Sequence, residues 1–164
     1  MSKKALKVLG INPGTRYIGI ACFEGDSLID WGIKVINGKW SRKKRAKAIE
    51  IVSMLIEYYQ PDAVSVKKLH SSRSSNNLSF IADEIARQVK KKRLRFRRYS
   101  IKEIKSFFCP GKKTNRKKII KRLTANFPVL SHEMDRENNS SNIYHLRMFE
   151  AVASAMICIH RLTK

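Results

Sequence analysis

Polar residues follow two short apolar runs of the sequence, where a strand of a sheet would end. Asn12 comes directly after the run Val8–Ile11, and Lys67, Lys68 and His70 come after Ala63–Val66. Open α/β sheets place their ligands at the carboxyl ends of such strands. The pattern therefore predicts a ligand site at one sheet edge. The alternatives are that Asn12 only makes a turn and that Lys67 faces solvent at a strand end.

The charge balance indicates what this ligand is. Thirty-five Lys and Arg residues face thirteen acidic ones, giving a net charge of +22. The excess is densest between Arg87 and Arg122, where apolar residues at structural spacing favour a folded basic surface over a disordered tail. Such a surface predicts a nucleic-acid partner. An anionic membrane or a crowded ribonucleoprotein is a weaker alternative.

The following residues are predicted to contact nucleic acid: Arg16, Lys67, Lys68, His70, Arg73, Arg95, Arg97, Arg98, Lys112, Lys113, Arg116, Lys117 and Lys118.

The remaining composition excludes several classes of protein. The cysteines Cys22, Cys109 and Cys158 are far apart and odd in number, so no metal-site spacing appears and no disulfide framework is implied. No run approaches the ~20 apolar residues of a membrane span, and the beginning of the chain has no signal-peptide pattern. We expect a soluble, cytoplasmic protein without a membrane partner.

The order of elements is three antiparallel strands, a helix, a strand, a helix, a strand and further helices, within one domain over 1–164. A Pro-Gly turn joins the first two strands, and Ser41 and Ser100 are candidate helix N-caps. The predicted bounds are a hairpin at 7–23, a strand at 27–36, a helix at 41–59, a strand at 63–66, a helix at 77–92, a strand at 94–99, helices at 100–108 and 112–127 (the latter capped by Thr114 or Asn115), an exposed loop at 128–142 and a last helix at 143–161.

Several stretches, in this order, resemble the RuvC family of Holliday junction resolvases, which has an RNase H-like fold. GINPGTRYIGIACF and LIDWGIKVI resemble the opening strands of the family, and PDAVSVKKLH its fourth strand and following loop. SIKEIKSFFCPGKKTNRKKIIKRL and FEAVASAMICIH resemble its later part and last helix. The resemblance predicts an α/β fold with a mixed sheet, in which three antiparallel strands and two further strands are flanked by helices.

The resemblance implies an enzyme that cuts branched DNA with two metal ions held by about four carboxylates. The corresponding positions here are Asn12, Lys67, Ala151 and Ser154, so each expected acid is replaced. Glu150 lies one residue from the usual face and could point obliquely toward the site. The catalytic positions are therefore degenerate, and we expect no metal or other cofactor.

The favoured hypothesis is an inactive resolvase homologue that binds branched or duplex DNA, with the Lys67 ammonium in place of a metal ion. One alternative is an engineered, inactivated form of a Mg²⁺-dependent nuclease. A second is a still active nuclease that uses Glu150 and the acids near Glu133, and a third is an RNA-binding ribonucleoprotein subunit. The resemblance further implies a homodimer paired through the helix at 77–92, with the loop at 69–77 beside the junction.

Overall fold

A computed structural model describes residues 3–70, 74–138 and 144–164. Five strands form one sheet in the order β3-β2-β1-β4-β5. The strands are β1 (Lys7–Asn12), β2 (Tyr17–Glu24), β3 (Ser27–Val35), β4 (Ala63–Lys67) and β5 (Arg95–Tyr99). The helices are α1 (Arg42–Tyr59), α2 (Asn76–Lys91), α3 (Ile101–Phe108), α4 (Arg116–Asn126), α5 (Ser131–Asn138) and α6 (Tyr144–Leu162).

Strand directions bring several strand ends to one edge of the sheet. β1 pairs antiparallel with β2 and parallel with β4, β2 pairs antiparallel with β3, and β4 pairs parallel with β5. β1, β3, β4 and β5 therefore all end at the same edge, at Asn12, Val35, Lys67 and Tyr99. We call this the carboxyl edge. The predicted mixed sheet with its antiparallel opening is confirmed.

Each face of the sheet carries its own apolar layer, because side chains alternate along the strands. Leu9 and Ile11 of β1 are fully buried in a cluster with residues of α1 and α2. Val8 of β1 is fully buried on the other face, in a cluster dominated by α6 with α3 and α4. Burying a Leu or Ile side chain contributes about 1.5–3 kcal/mol, so both layers stabilise the sheet.

Two glycines let α6 lie directly on the sheet. A Cβ added at Gly10 would lie 2.4 Å from the Ala151 carbonyl oxygen, and one added at Gly19 would lie 2.1 Å from the Arg147 carbonyl oxygen. Both distances are too short for any side chain. The backbone of α6 is thus held against β1 and β2, and this contact fixes the height of the helix above the carboxyl edge.

Helix starts follow side-chain caps that the sequence contains. Ser41 and Ser100 accept hydrogen bonds from backbone N–H groups, as predicted, and Ser100 forms a capping box with Glu103. Of the two candidates for α4, Asn115 is the cap, since its side chain accepts from the Lys118 N–H. This cap matters for function because it sets where the first residue of α4 points.

The segment predicted as an exposed loop at 128–142 differs from that prediction. Pro128–Leu130 forms a 3-10 turn, and α5 follows it directly. Leu130 is fully buried and anchors the turn. The sequence of α5 has one apolar residue, Met134, so it lacks the apolar spacing by which a helix is predicted.

Three further expectations have different outcomes. No helix in the described part of the chain is long and apolar enough to cross a membrane. Arg73 lies outside the described residues. The single domain and the pairing of two copies through α2 stay predictions.

Candidate functional site

Side chains from four elements meet at the carboxyl edge, on the face covered by α6. Asn12 ends β1 and Lys67 ends the neighbouring strand β4. Glu150 and Arg147 lie three residues apart on α6, and Arg116 is the first residue of α4. We call these five residues the Glu150 cluster.

The carboxylate of Glu150 is the centre of this cluster. Its Oε2 accepts a hydrogen bond of 3.0 Å from Asn12 Nδ2 and a short one from the Lys67 ammonium. Asn12 Nδ2 also donates to the Arg147 carbonyl, at 3.2 Å. The side chain of Glu150 is 8% exposed and that of Lys67 19%. The strand ends are thus tied to α6 by a nearly buried ion pair and an amide.

Two arginines add positive charge around this ion pair. Arg116 Nε lies 3.4 Å from Glu150 Oε1. That oxygen is buried and has no hydrogen-bond partner among the described residues. The Arg147 guanidinium donates to the Pro13 carbonyl at 2.8 Å. Burial lowers the pKa of Arg147, while Glu150 raises it and Arg116 lowers it further. One carboxylate therefore faces cations on three sides.

The helix positions of the site differ from the sequence-based prediction. Ala151 and Ser154, predicted to occupy the acid positions of α6, are fully buried against the sheet. The carbonyl of Ala151 lies over Gly10, and the carbonyl of Ser154 accepts a hydrogen bond of 2.8 Å from Ser65 Oγ. Neither side chain reaches the carboxyl edge.

Arg147 and Glu150 take the place of that predicted pair. Residues three apart lie on one face of a helix, and these two face the strand ends. Glu150 was predicted to approach the site obliquely, whereas its carboxylate contacts both Asn12 and Lys67 directly. Arg147 was missed by the sequence analysis. The signal that could have found it is the polar pair at a spacing of three in an otherwise apolar helix.

The other residues predicted to bind nucleic acid surround the cluster or lie farther along the surface. Apart from Lys67, those that the structure describes are all exposed: Arg16, Lys68, His70, Arg95, Arg97, Arg98, Lys112, Lys113, Arg116, Lys117 and Lys118. Arg95 and Arg97 alternate with Phe96 on edge strand β5, so they share the face of Lys67 and α6. Arg98 lies on the opposite face.

The sequence matches the family model described as crossover junction endodeoxyribonuclease RuvC over residues 8–143. The chain belongs to the RuvC family. A comparison with curated protein sequences finds no significant match.

Solved structures share the fold at low sequence identity. The structure of Thermus thermophilus RuvC has a TM-score of 0.74 at 11% identity, covering 96% of each chain. The same protein in complex with a Holliday junction substrate gives 0.71, with the same identity and coverage. The yeast mitochondrial Holliday junction resolvase gives 0.69 at 14% identity, covering 97% of this chain and 80% of the other. The RuvC-type, RNase H-like fold that we predicted is confirmed.

The residues of the cluster do not fit the metal ions that the RuvC resemblance implies. Mg²⁺ prefers several anionic oxygens in octahedral geometry, and Glu150 is the single carboxylate of the cluster. Its Oε2 is already bonded to an ammonium and an amide. Within the described ranges, no group of three or more His, Cys, Asp or Glu side chains could hold a metal. Glu133, one of the loop acids considered, pairs with His145 at 3.1 Å instead.

Proposed function

We propose that this protein is a nucleic-acid-binding pseudoenzyme of the RuvC family, which holds a backbone phosphate of branched or duplex DNA at the Glu150 cluster without cleaving it by two-metal chemistry. The observation that carries the proposal is the Lys67–Glu150 ion pair at the end of β4. An ammonium lies where a two-metal site needs an acid.

Electrostatics favours an anion over a metal ion at this place. Glu150 offsets one positive charge, whereas Lys67, Arg116 and Arg147 carry three. Like charges about 4 Å apart repel by several kcal/mol at an effective dielectric near 20, so a divalent cation is disfavoured beside Lys67. A phosphodiester has the opposite sign. The ammonium of Lys67 has three donors and remains partly exposed, so it can bind a phosphate oxygen while it stays bonded to Glu150.

The surrounding surface supports a polyanion rather than a single small anion. Arg116 ties the start of α4 to the cluster, and the exposed Lys112, Lys113, Lys117 and Lys118 lie within four residues of it. Several exposed lysines close together in the chain can neutralise phosphates of a nucleic-acid backbone. Branched DNA is the favoured form because a RuvC with the same fold has been solved with a Holliday junction.

The test is a binding panel with a four-way junction, a duplex, a single strand and a structured RNA over a salt series. We expect junction or duplex DNA to bind best, equally well in EDTA and in Mg²⁺, with a steep loss of affinity as salt rises. Cleavage is scored on the same samples with Mg²⁺ and Mn²⁺. Metal-dependent cutting that Glu150→Gln abolishes would show a rearranged nuclease, and preference for RNA would favour a ribonucleoprotein subunit.

A pair of matched variants tests the role of Lys67. Lys67→Gln should lower the slope of log affinity against log salt by about one phosphate contact, or ~0.9. Lys7→Gln makes the same change at the start of β1, away from the carboxyl edge, and should leave the slope unchanged. Equal slopes for both variants would contradict a phosphate contact by Lys67. Thermal melting of both variants checks that they fold.

A further inference from the structure

An arginine and two aromatic rings form a second cluster, on the other face of the sheet. The guanidinium carbon of Arg45 lies 3.8 Å from the centre of the Phe80 ring. The Trp40 ring stands edge-on to Phe80, with ring centres 6.2 Å apart at 75°. Both rings are half-buried against the core shared by α1 and α2, and Arg45 is exposed. We call these three residues the Trp40 stack.

The positive charges at the start of α1 do not stabilise the helix. Its first turn has no acidic residue and begins with Arg42 and Lys43, which are exposed. Cations at a helix N-terminus oppose the macrodipole. Among the described residues, Arg45 forms no ion pair, and its guanidinium lies over the face of Phe80. A bound polyanion would offset this accumulation of positive charge.

The topology places the Trp40 stack beside the proposed DNA site. Trp40 follows β3, and Phe80 lies in the second turn of α2, after β4. Both strands end at the carboxyl edge, as β1 does with Asn12. The stack and Lys67 therefore lie toward the same edge of the sheet, on opposite faces, and a strand of nucleic acid that crosses this edge from Lys67 runs toward the stack.

We propose that the Trp40 stack binds an unpaired nucleobase, which lies on the outer face of the Arg45 guanidinium beside Trp40, while Arg42 and Lys43 contact the adjoining phosphates. Aromatic rings and arginine planes are the usual platforms for unstacked bases. In a duplex the base faces are covered, so this surface distinguishes unpaired from paired nucleic acid. The inference rests on the proposed function, because it requires nucleic acid at the carboxyl edge.

The first experiment compares two identical changes in the full-length protein. Arg45→Lys keeps the charge and removes the plane that rests on Phe80, whereas Arg93→Lys makes the same change just before β5, at an exposed residue with no ring contact in the described structure. The probes are labelled oligodeoxyadenylate and a fully paired duplex with the same number of phosphates. Arg45→Lys should weaken single-strand binding about tenfold and leave duplex binding unchanged, and Arg93→Lys should change neither affinity. If both variants have the same ratio of single-strand to duplex affinity, the proposal is overturned.

The second experiment observes the stack directly. The chain contains two tryptophans, so Trp31→Phe leaves Trp40 as the one fluorescent tryptophan. Oligodeoxyadenylate should quench Trp40, the paired duplex should not, and Arg45→Lys should reduce the quenching. Binding of the single strand without quenching would overturn the proposal.

The two proposals fail in different ways. If the unaltered protein binds no nucleic acid, both are wrong. If it binds junction or duplex normally but Arg45→Lys has no selective effect on single strands, the base-stacking site alone is wrong. Equal melting temperatures of Arg45→Lys and Arg93→Lys exclude a loss of folding as the cause of a difference in affinity.

Discussion

Two nearly buried carboxylates, Glu84 on α2 and Glu150 on α6, have similar bonding and different surroundings. Glu84 accepts a hydrogen bond of 3.1 Å from the amide of Gln88, and Gln88 also donates to the Ile49 carbonyl at 3.2 Å. The charge partner of Glu84 is Arg87, whose Nε donates to Glu84 Oε2 at 3.0 Å. Both partners of Glu84 lie within four residues of it on the same helix.

The partners of Glu150 come from distant parts of the chain. Asn12 repeats the role of Gln88, since its amide donates both to the carboxylate and to a backbone carbonyl. Lys67 and Arg116, however, come from β4 and α4. Burial of a charge therefore does not by itself identify a site. A carboxylate that binds partners from three other elements at the strand ends indicates a candidate site.

The largest difference between the two carboxylates should appear when each is removed. Glu150→Ala leaves Lys67 in a largely buried position without its partner, and we expect the free energy of unfolding to fall by about 3–5 kcal/mol. Glu84→Ala should cost about 1–2 kcal/mol, because the exposed Arg87 returns to water. Urea denaturation measures both.

A double variant provides the control for this prediction. Lys67→Met combined with Glu150→Leu replaces the pair by apolar side chains and should recover most of the lost stability. The distinction between the two carboxylates fails if Glu150→Ala costs no more than Glu84→Ala.

An isosteric change of each amide to an acid tests the charge around the two carboxylates. Gln88→Glu places a second carboxylate beside Glu84, with one exposed arginine nearby, and should cost about 2 kcal/mol. Asn12→Asp makes the same change where three cations surround the site, so we expect a cost of about 1 kcal/mol or less. Denaturation at neutral pH and low salt decides between them. If Asn12→Asp lowered the free energy of unfolding more than Gln88→Glu, the cations at the carboxyl edge would not stabilise an added carboxylate.

The smallest effect concerns pH. Hydrogen bonds from Arg87, and secondarily from Gln88, lower the pKa of Glu84 below its ordinary value of 4.5, against the opposing effect of burial. A lowered folded-state pKa stabilises the protein above the unfolded value, and this stability is lost as pH falls through the folded value. The difference in free energy of unfolding between the unaltered protein and Glu84→Gln should therefore be largest at neutral pH and decrease below pH 4.5.

The control for pH is Glu50→Gln, at an exposed carboxylate 3.6 Å from Lys47. A stability difference for Glu84→Gln that varies with pH no more than the difference measured for the control would refute the assignment.

Local signals explain why much of the fold could be predicted from the sequence. Ser41 and Ser100 cap the helices they were expected to cap, and Asn12 and Lys67 end the strands they were expected to end. Each of these features depends on neighbouring residues alone. The polar helix α5 was missed because it lacks an apolar stripe.

The site could be predicted only in part, since its remaining members depend on contacts between distant elements. Which residues of α6 face the strand ends is set by how the helix rests on Gly10, and this contact turns Glu150 rather than Ala151 toward Asn12. Arg116 was expected on a basic surface, but its approach to Glu150 depends on how α4 packs.

The glycines at 10 and 19 have a consequence for how such a protein changes over generations. Because main-chain contacts hold α6 on the sheet, the height of the helix does not depend on the charges at its exposed end. The amide at position 12 and the cations at positions 67 and 147 can be exchanged for acids, and back again, while the backbone beneath them stays in place. Changes in the side chains of the site are therefore separable from the inheritance of the fold, and this chain is a suitable scaffold for introducing carboxylates at the carboxyl edge one at a time.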